Sequence, residues 1–251
     1  MNILRQSKPQ ASFSKAALSY EEFSDIQKKV GLTLLENLPT NIKGGRILDV
    51  GMGTGWLTEK VAERFPDADI FGVDFAEGMV QSARKKNIDF VIQADARALP
   101  FQKESFDLIV SNCAYQWVED LKKTFTLNRE ILRSHGYFCF TCFGESTLKE
   151  LWESLGTVNR LHCPTEKDIR DALRTGGFYS FEVSSVMMRQ EFGDMFDLVR
   201  WLKRIGANQT KREIFIGRDA LSCANDFYCQ NFESDNGVFA TFEIIMGKTQ
   251  K

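Results

Sequence analysis

The sequence predicts an α/β domain built on a largely parallel sheet. Short apolar runs alternate with stretches of helical period from Arg46 to Phe143, which is the pattern of successive strand-helix units. A glycine-rich turn joins the first of these runs to the helix after it, the junction at which such sheets bring backbone N–H groups to a ligand. With 251 residues, 43% of them hydrophobic, the chain is long enough to bury roughly three quarters of its unfolded surface around one core.

Taken in order, Phe13, Ala16, Ala17, Tyr20, Phe23 and Gln27 recur at steps of three and four. They predict a helical face that continues through Leu34, Leu35 and Leu38 until Pro39 stops it. Strands are predicted at Arg46–Val50, Asp69–Val73, Asp89–Ile92, Phe106–Ser111 and Tyr137–Phe143. In the first unit, Gly51-Met52-Gly53-Thr54-Gly55 forms the turn and Trp56 to Phe65 a helix that Pro66 ends. Thr147–Leu161 and Thr165–Arg174 read as helices, the second closed by Gly176-Gly177. Phe178–Met188 alternates like a strand, Phe192 to about Asn236 reads as helices and polar loops, and Gly237–Met246 is a last strand. The expected organisation is a single domain over 1–251: a helical extension at 1–42, a ligand-binding core at 43–188, a helical insertion at 189–236 and a final strand at 237–251.

Charge removes several classes of partner. Lys and Arg number 32 against 34 Asp and Glu, a net of −2, so no bulk positive field exists to hold nucleic acid or an anionic membrane. No stretch approaches the ~20 apolar residues of a membrane span, and Met1 to Gln10 lacks the apolar centre of a signal peptide, which predicts a cytoplasmic protein. Cys113, Cys139, Cys142, Cys163, Cys223 and Cys229 are then expected as reduced thiols. Cys139 and Cys142 make a C-x-x-C within an aromatic-rich run that reads as buried strand, and His135 and His162 lack a second ligand pair; no metal site is expected.

The residues that carry chemistry lie at strand ends. Gly51, Gly53 and Gly55, led by Asp49, have the spacing G-x-G-x-G, whereas a dehydrogenase fingerprint places two residues between its second and third glycines. Asp74 ends the second strand, where a carboxylate accepts from both hydroxyls of a ribose or merely caps a turn. Asp95, followed by Ala96, ends the third strand, as a ligand contact or as the N-cap of the next helix. Together these residues resemble the nucleotide-cofactor motifs of class I S-adenosylmethionine-dependent methyltransferases. That resemblance implies a Rossmann-like seven-stranded sheet with an N-terminal helical extension and a helical lid insertion before the last strand. Its cofactor would be S-adenosylmethionine, held by Asp49, Gly51, Gly53, Gly55, Asp74, Phe75, Asp95, Ala96 and Asn112.

Three further patches narrow the resemblance: Phe13-Ser14-Lys15-Ala16-Ala17-Leu18-Ser19-Tyr20, Ser111-Asn112-Cys113-Ala114-Tyr115-Gln116-Trp117, and Trp201-Leu202-Lys203-Arg204-Ile205-Gly206-Ala207-Asn208. In order and spacing they are similar to the malonyl-acyl-carrier-protein O-methyltransferases of biotin synthesis. The implied reaction methylates the free carboxylate of a malonyl thioester, carried on acyl carrier protein or on coenzyme A. A malonyl carboxylate is ionised near neutral pH, so no catalytic acid or base is expected. Tyr20, Gln116, Trp117, Lys203 and Arg204 are the candidate substrate-binding residues. A local excess of three positive charges over 189–218 would suit an acidic carrier protein, or be an ordinary solvated helix face. The last strand departs from the resemblance, carrying Thr241-Phe242-Glu243 where a tyrosine would follow the threonine. The alternatives are a methyltransferase for another small carboxylic acid or a quinone-type ring, and a non-catalytic module that retains S-adenosylmethionine. A nucleic-acid N-methyltransferase is disfavoured, since Asn112-Cys113-Ala114-Tyr115 lacks the paired prolines of that class.

Overall fold

The computed structural model describes residues 2–4, 9–40, 42, 44–157, 161, 163–207, 214–215 and 217–251. The N-terminal segment forms three helices, α1 (Pro9–Ala16), α2 (Tyr20–Phe23) and α3 (Asp25–Glu36), where the periodicity predicted one. The first break follows Ala16, whose carbonyl accepts from Ser19 N, and leaves Leu18 90% exposed. The break lets Phe13 and Tyr20 face the same cleft from separate helices.

Strands β1 (Arg46–Val50), β2 (Asp69–Asp74), β3 (Phe90–Gln93), β4 (Phe106–Asn112) and β5 (Leu132–Phe143) pair in parallel. Between and after them run α4 (Trp56–Arg64), α5 (Glu77–Ala83), α6 (Leu121–Ile131), α7 (Lys149–Ser154) and α8 (Glu166–Thr175). Strand β6 (Phe181–Phe192) leads into α9 (Met195–Arg204) and α10 (Arg218–Asn231), and β7 (Gly237–Gln250) inserts antiparallel between β5 and β6. The sheet order is therefore β3-β2-β1-β4-β5-β7-β6, seven strands as the resemblance implied, with Glu233–Ser234 added against the start of β7. A two-stranded ribbon pairs Asn2–Leu4 with Ile214–Phe215.

Alternation along the strands splits the core between the two faces of the sheet. Ile47, Leu108 and Val110 pack under α3 and α4 with Leu34, Leu57 and Val61, while Leu48, Ile109 and Phe138 pack with Phe125 and Leu173 of α6 and α8. The same alternation sends Cys139 and Cys142 to opposite faces, and all six cysteines are free thiols. A third core joins α7, α9 and α10 to β7 through Trp152, Leu198, Trp201, Tyr228 and Phe242. The insertion is thus seated on the last strand.

Several boundaries differ from the sequence reading, β6 beginning at Phe181 and β7 running on to Gln250 among them. Strand β5 begins at Leu132 rather than Tyr137, through a register irregularity against β4 in which His135 adopts φ +66°, a bend the polar stretch Arg133–Gly136 conceals. Strand β6 is an edge strand, so residues 184–187 are exposed on both faces and their pattern does not mark its end, which lies at Phe192. Of the helix expected over Thr147–Leu161, the described part is helical only at Lys149–Ser154, between Leu148 and Gly156, both at positive φ; residues 158–160 lie outside the described residues. Among the described residues no helix is long and apolar enough to cross a membrane, and no group of three or more His, Cys, Asp or Glu could hold a metal ion.

Candidate active site

Strands β1 and β4 are neighbours while β2 and β5 lie outside them, so the connections diverge at the carboxyl ends of β1 and β4 and open a crevice there. The turn after β1 enters it. Gly53 has φ +58° and Gly55 φ +86°, conformations in which a side chain is strained. A Cβ on Gly53 would meet nothing within 4 Å, because that position looks into open cleft; on Gly55 it would strike Ile88 at 2.7 Å. Gly51 N and Met52 N donate to Val73 O at 2.8 and 3.0 Å, and Gly53 N donates to Asp74 Oδ2 at 3.0 Å, so β2 fixes the turn.

Asp74 is 6% exposed; its Oδ1 accepts from Ala76 N at 2.8 Å. Burial pushes its carboxyl up to about 6, against the backbone N–H bonds that favour its charge. Asp49, 1% exposed, accepts from Thr58 Oγ1 at 2.7 Å through Oδ2, and burial pushes it up to about 7. Its Oδ1 is buried with no partner, as is Oε1 of Gln27 on α3. Both residues line a hollow of about 430 Å³ behind the turn. Two orphaned acceptors, one on a carboxylate, suit a cationic donor.

The main cleft, about 1040 Å³, runs from the turn past Asp74, Phe75 and Met79 to Ala94, Asp95 and Ala96. Phe75, Met79, Ala94 and Ala96 make an apolar slot for a planar ring, with carboxylates at intervals along it. Asp95 forms a forked pair with Arg97 (Oδ2 to Nη2 2.6 Å), which holds its carboxyl below the ordinary range. Helix α1 roofs this cleft. Phe13 sets its ring edge-on to Phe75 and Trp117 at 6.3 and 5.3 Å, and Gln10 Nε2 donates to Phe75 O at 2.8 Å.

A second cavity of about 550 Å³ adjoins the cleft under α9. Its walls are largely apolar, with Trp117, Phe143, Trp201, Leu202, Ile205 and Phe242 among them, and none of the described residues lining it is Lys, Arg or His. Tyr20 borders the cleft, the hollow and this cavity, the junction of all three. Burial raises its hydroxyl pKa, so the group remains an O–H donor near neutral pH.

The other candidates separate. Trp117 borders both cleft and cavity. Gln116 lines the cavity, but its amide donates to Cys113 O and accepts from Phe143 N, an internal brace. Asn112 lines the cleft with its amide likewise engaged, donating to Gln27 O at 2.9 Å and accepting from Thr141 Oγ1 at 2.7 Å. Lys203 and Arg204 do not line the cavity. They lie on the exposed face of α9, because the buried face belongs to Trp201, Leu202 and Ile205, and Arg204 stacks over Phe23 at 4.6 Å. Of the other basic residues in the local excess, Arg200 pairs with Asp194 and Asp197 and Arg189 covers Phe239, while Lys211 and Arg212 lie outside the described residues. In the last strand, Thr241 is bonded to the buried Glu150, Glu243 accepts from Ser146 N at 2.8 Å, and Phe242 enters the cavity. Gln27 was invisible as a site residue in the sequence, where it reads only as a position on the helical face.

The 3-2-1-4-5-7-6 sheet, with its glycine turn and acids at successive strand ends, defines a methyltransferase that uses S-adenosylmethionine. A profile described as a methyltransferase domain matches residues 48–140. The fold is similar to the YcgJ protein from Bacillus subtilis, with TM-score 0.63 and 16% identity over 88% of this chain and 97% of that one. The chain belongs to the malonyl-[acyl-carrier protein] O-methyltransferase family: it is 32% identical to the Geobacter sulfurreducens member over 98% of each chain. It is also 30% identical to the member from Gallionella capsiferriformans over 96% of this chain and 89% of that one.

Proposed function

We propose that the protein methylates the free carboxylate of a malonyl thioester, in the step that prepares malonyl for the pimeloyl branch of biotin synthesis in the cytoplasm. The observation that carries this reading is the apolar cavity meeting the cofactor cleft at Tyr20, with no Asp, Glu, His, Lys or Arg among the described residues that line the cavity. In the cleft, Asp74 would take the ribose hydroxyls, Phe75 and Ala96 would flank the adenine, and Asp95 would accept from its amino group. The turn at Gly51, Gly53 and Gly55 admits the methionyl tail, whose ammonium suits the orphaned oxygens of Asp49 and Gln27. When bound, S-adenosylmethionine supplies an electrophilic methyl on a sulfonium sulfur.

The chain's own part is positioning. Tyr20 would donate to one oxygen of the acceptor carboxylate and so leave the other oriented toward the methyl that the bound cofactor would supply. Trp117, Trp201 and Phe242 exclude water, so that the carboxylate is not screened at the moment of attack. No proton moves in this step. The turnover rate at saturating substrates is therefore expected to be nearly flat above about pH 5. By contrast, kcat/KM for the cofactor should fall as pH drops through about 7 and then about 6, where Asp49 and Asp74 in turn gain a proton and lose acceptor strength. A steep fall of kcat itself near pH 7, with chemistry limiting, would contradict the unassisted mechanism.

Lys203 and Arg204, outside the cavity but on the exposed face of α9, belong in this reading to the dock for an acidic carrier protein. Reversing both to Glu should raise KM for malonyl-carrier protein several-fold more than for malonyl-coenzyme A. It should also flatten the salt dependence of kcat/KM, since rim charges act on association. Equal effects on the two substrates would remove the dock. The acceptor is tested by methyl transfer to malonyl-carrier protein, malonyl-coenzyme A and a carrier-free acid side by side. The carrier-bound acceptor should give the highest kcat/KM; failure to methylate either malonyl thioester would refute the reading.

A further inference from the structure

Helix α2 has four residues and no side-chain N-cap, too short to persist by itself, yet it carries Tyr20 at the meeting point of cleft, hollow and cavity. Trp201 Nε1 of α9 donates to Phe23 O at 2.7 Å and Lys28 Nζ donates to Glu21 O, and charge adds a third tie, the one that faces the glycine turn. The Glu21 carboxylate lies 2.8 Å from Lys86 Nζ, and the same ammonium lies 2.8 Å from Glu59 on α4, the helix that the glycine turn begins. The Lys86 side chain is 17% exposed, and its stem would touch a Cβ on Gly55 at 3.4 Å. One cation therefore ties α2 to α4 directly over the turn. Burial raises the Glu21 carboxyl, but bonds from Lys86 and from Thr54 of the turn outweigh it and hold the group below the ordinary range.

We infer that Lys86 is a positioning residue for Tyr20: by holding Glu21 to Glu59 it keeps α2 seated on the cofactor cleft and sets the rate at which S-adenosylhomocysteine leaves. Lys86 touches neither the main cleft nor the acceptor cavity among their lining residues, so its effect passes through α2. The inference rests on the cofactor assignment and is independent of which acceptor is methylated.

Stopped-flow displacement of S-adenosylhomocysteine, followed by the fluorescence of Trp56 and Trp117 beside the site, tests it. Lys86→Met keeps the stem and removes the charge. It should speed dissociation about tenfold at low salt, the scale of two partly buried ion pairs acting on an off-rate. High salt should accelerate the native protein but leave the variant unmoved. Lys86→Arg should restore the native rate. Glu21→Gln should match Lys86→Met, and the double variant should be no faster than either, since both break one tie. The thermal midpoint of the cofactor-free protein should stay near the native value in each. An unchanged off-rate in Lys86→Met, additive effects in the double variant, or no rescue by arginine would overturn the inference. Failure of the native protein to bind S-adenosylhomocysteine would instead overturn the cofactor assignment on which it rests.

Discussion

Asp74→Ala is expected to weaken S-adenosylhomocysteine binding by about 1.5–3 kcal/mol, roughly a 10- to 100-fold rise in Kd. The ribose hydroxyls lose a charged acceptor, the strongest kind of neutral-donor bond available to them. A second loss compounds the first: Asp74 holds Gly53 N at 3.0 Å and Ala76 N at 2.8 Å, so its removal also frees the turn and the start of α5. Asp74→Asn should recover part of the affinity by keeping one acceptor oxygen. Titration calorimetry on variants shown to be folded measures both effects, and an unchanged Kd for the alanine variant would take Asp74 out of the site.

Asp49→Asn should separate stability from function. The folded protein raises this carboxyl from 3.8 to about 7, chiefly by burial, so it binds the Asp49 proton more tightly than the unfolded chain does. The stability tied to that proton is full below about pH 4 and is lost as pH rises through about 7. At about pH 8 the native cofactor-free protein therefore carries a buried, half-satisfied charge, with only Thr58 bonded to it. An asparagine keeps that bond without the charge. The variant should be more stable than the native protein at about pH 8 by about 1–3 kcal/mol, a gain of several degrees in thermal midpoint, and the gain should vanish near pH 4. Cofactor affinity should fall at least about tenfold, because the methionyl ammonium loses its charged acceptor. A midpoint at about pH 8 no higher than native would contradict the buried-charge account of Asp49.

The parallel part of the sheet was legible in sequence because its strands read as apolar runs, the central ones β1, β2 and β4 being largely buried on both faces, and the glycine turn because its spacing has few structural uses. Where local pattern stopped reporting tertiary position, reading stopped as well. The bend at His135 lies in a polar stretch that resembles loop, and the edge strand β6 lacks a buried face at residues 184–187. Among the candidate site residues, Asp49 lines the hollow behind the turn, Asp74 the cleft, and Tyr20 both. Gln116 lines the cavity and Asn112 the cleft, but their amides are spent on Cys113, Phe143, Gln27 and Thr141, partners that only the fold brings near. Lys86 gives no signal at all, since its role depends on Glu21 of α2 and Glu59 of α4 meeting it in the turn after α5.

In the proposed reaction the methyl donor would lie over the turn and meet an acceptor carboxylate at Tyr20. This arrangement is tested most directly by NMR with S-adenosylmethionine carrying a ¹³C methyl. Bound alone, the labelled methyl should show Overhauser contacts to the ring protons of Tyr20; after malonyl-carrier protein is added, its signal should move to that of a methyl ester on the carrier. Contacts to residues remote from Tyr20, or a label that never reaches the malonyl carboxylate, would contradict the account.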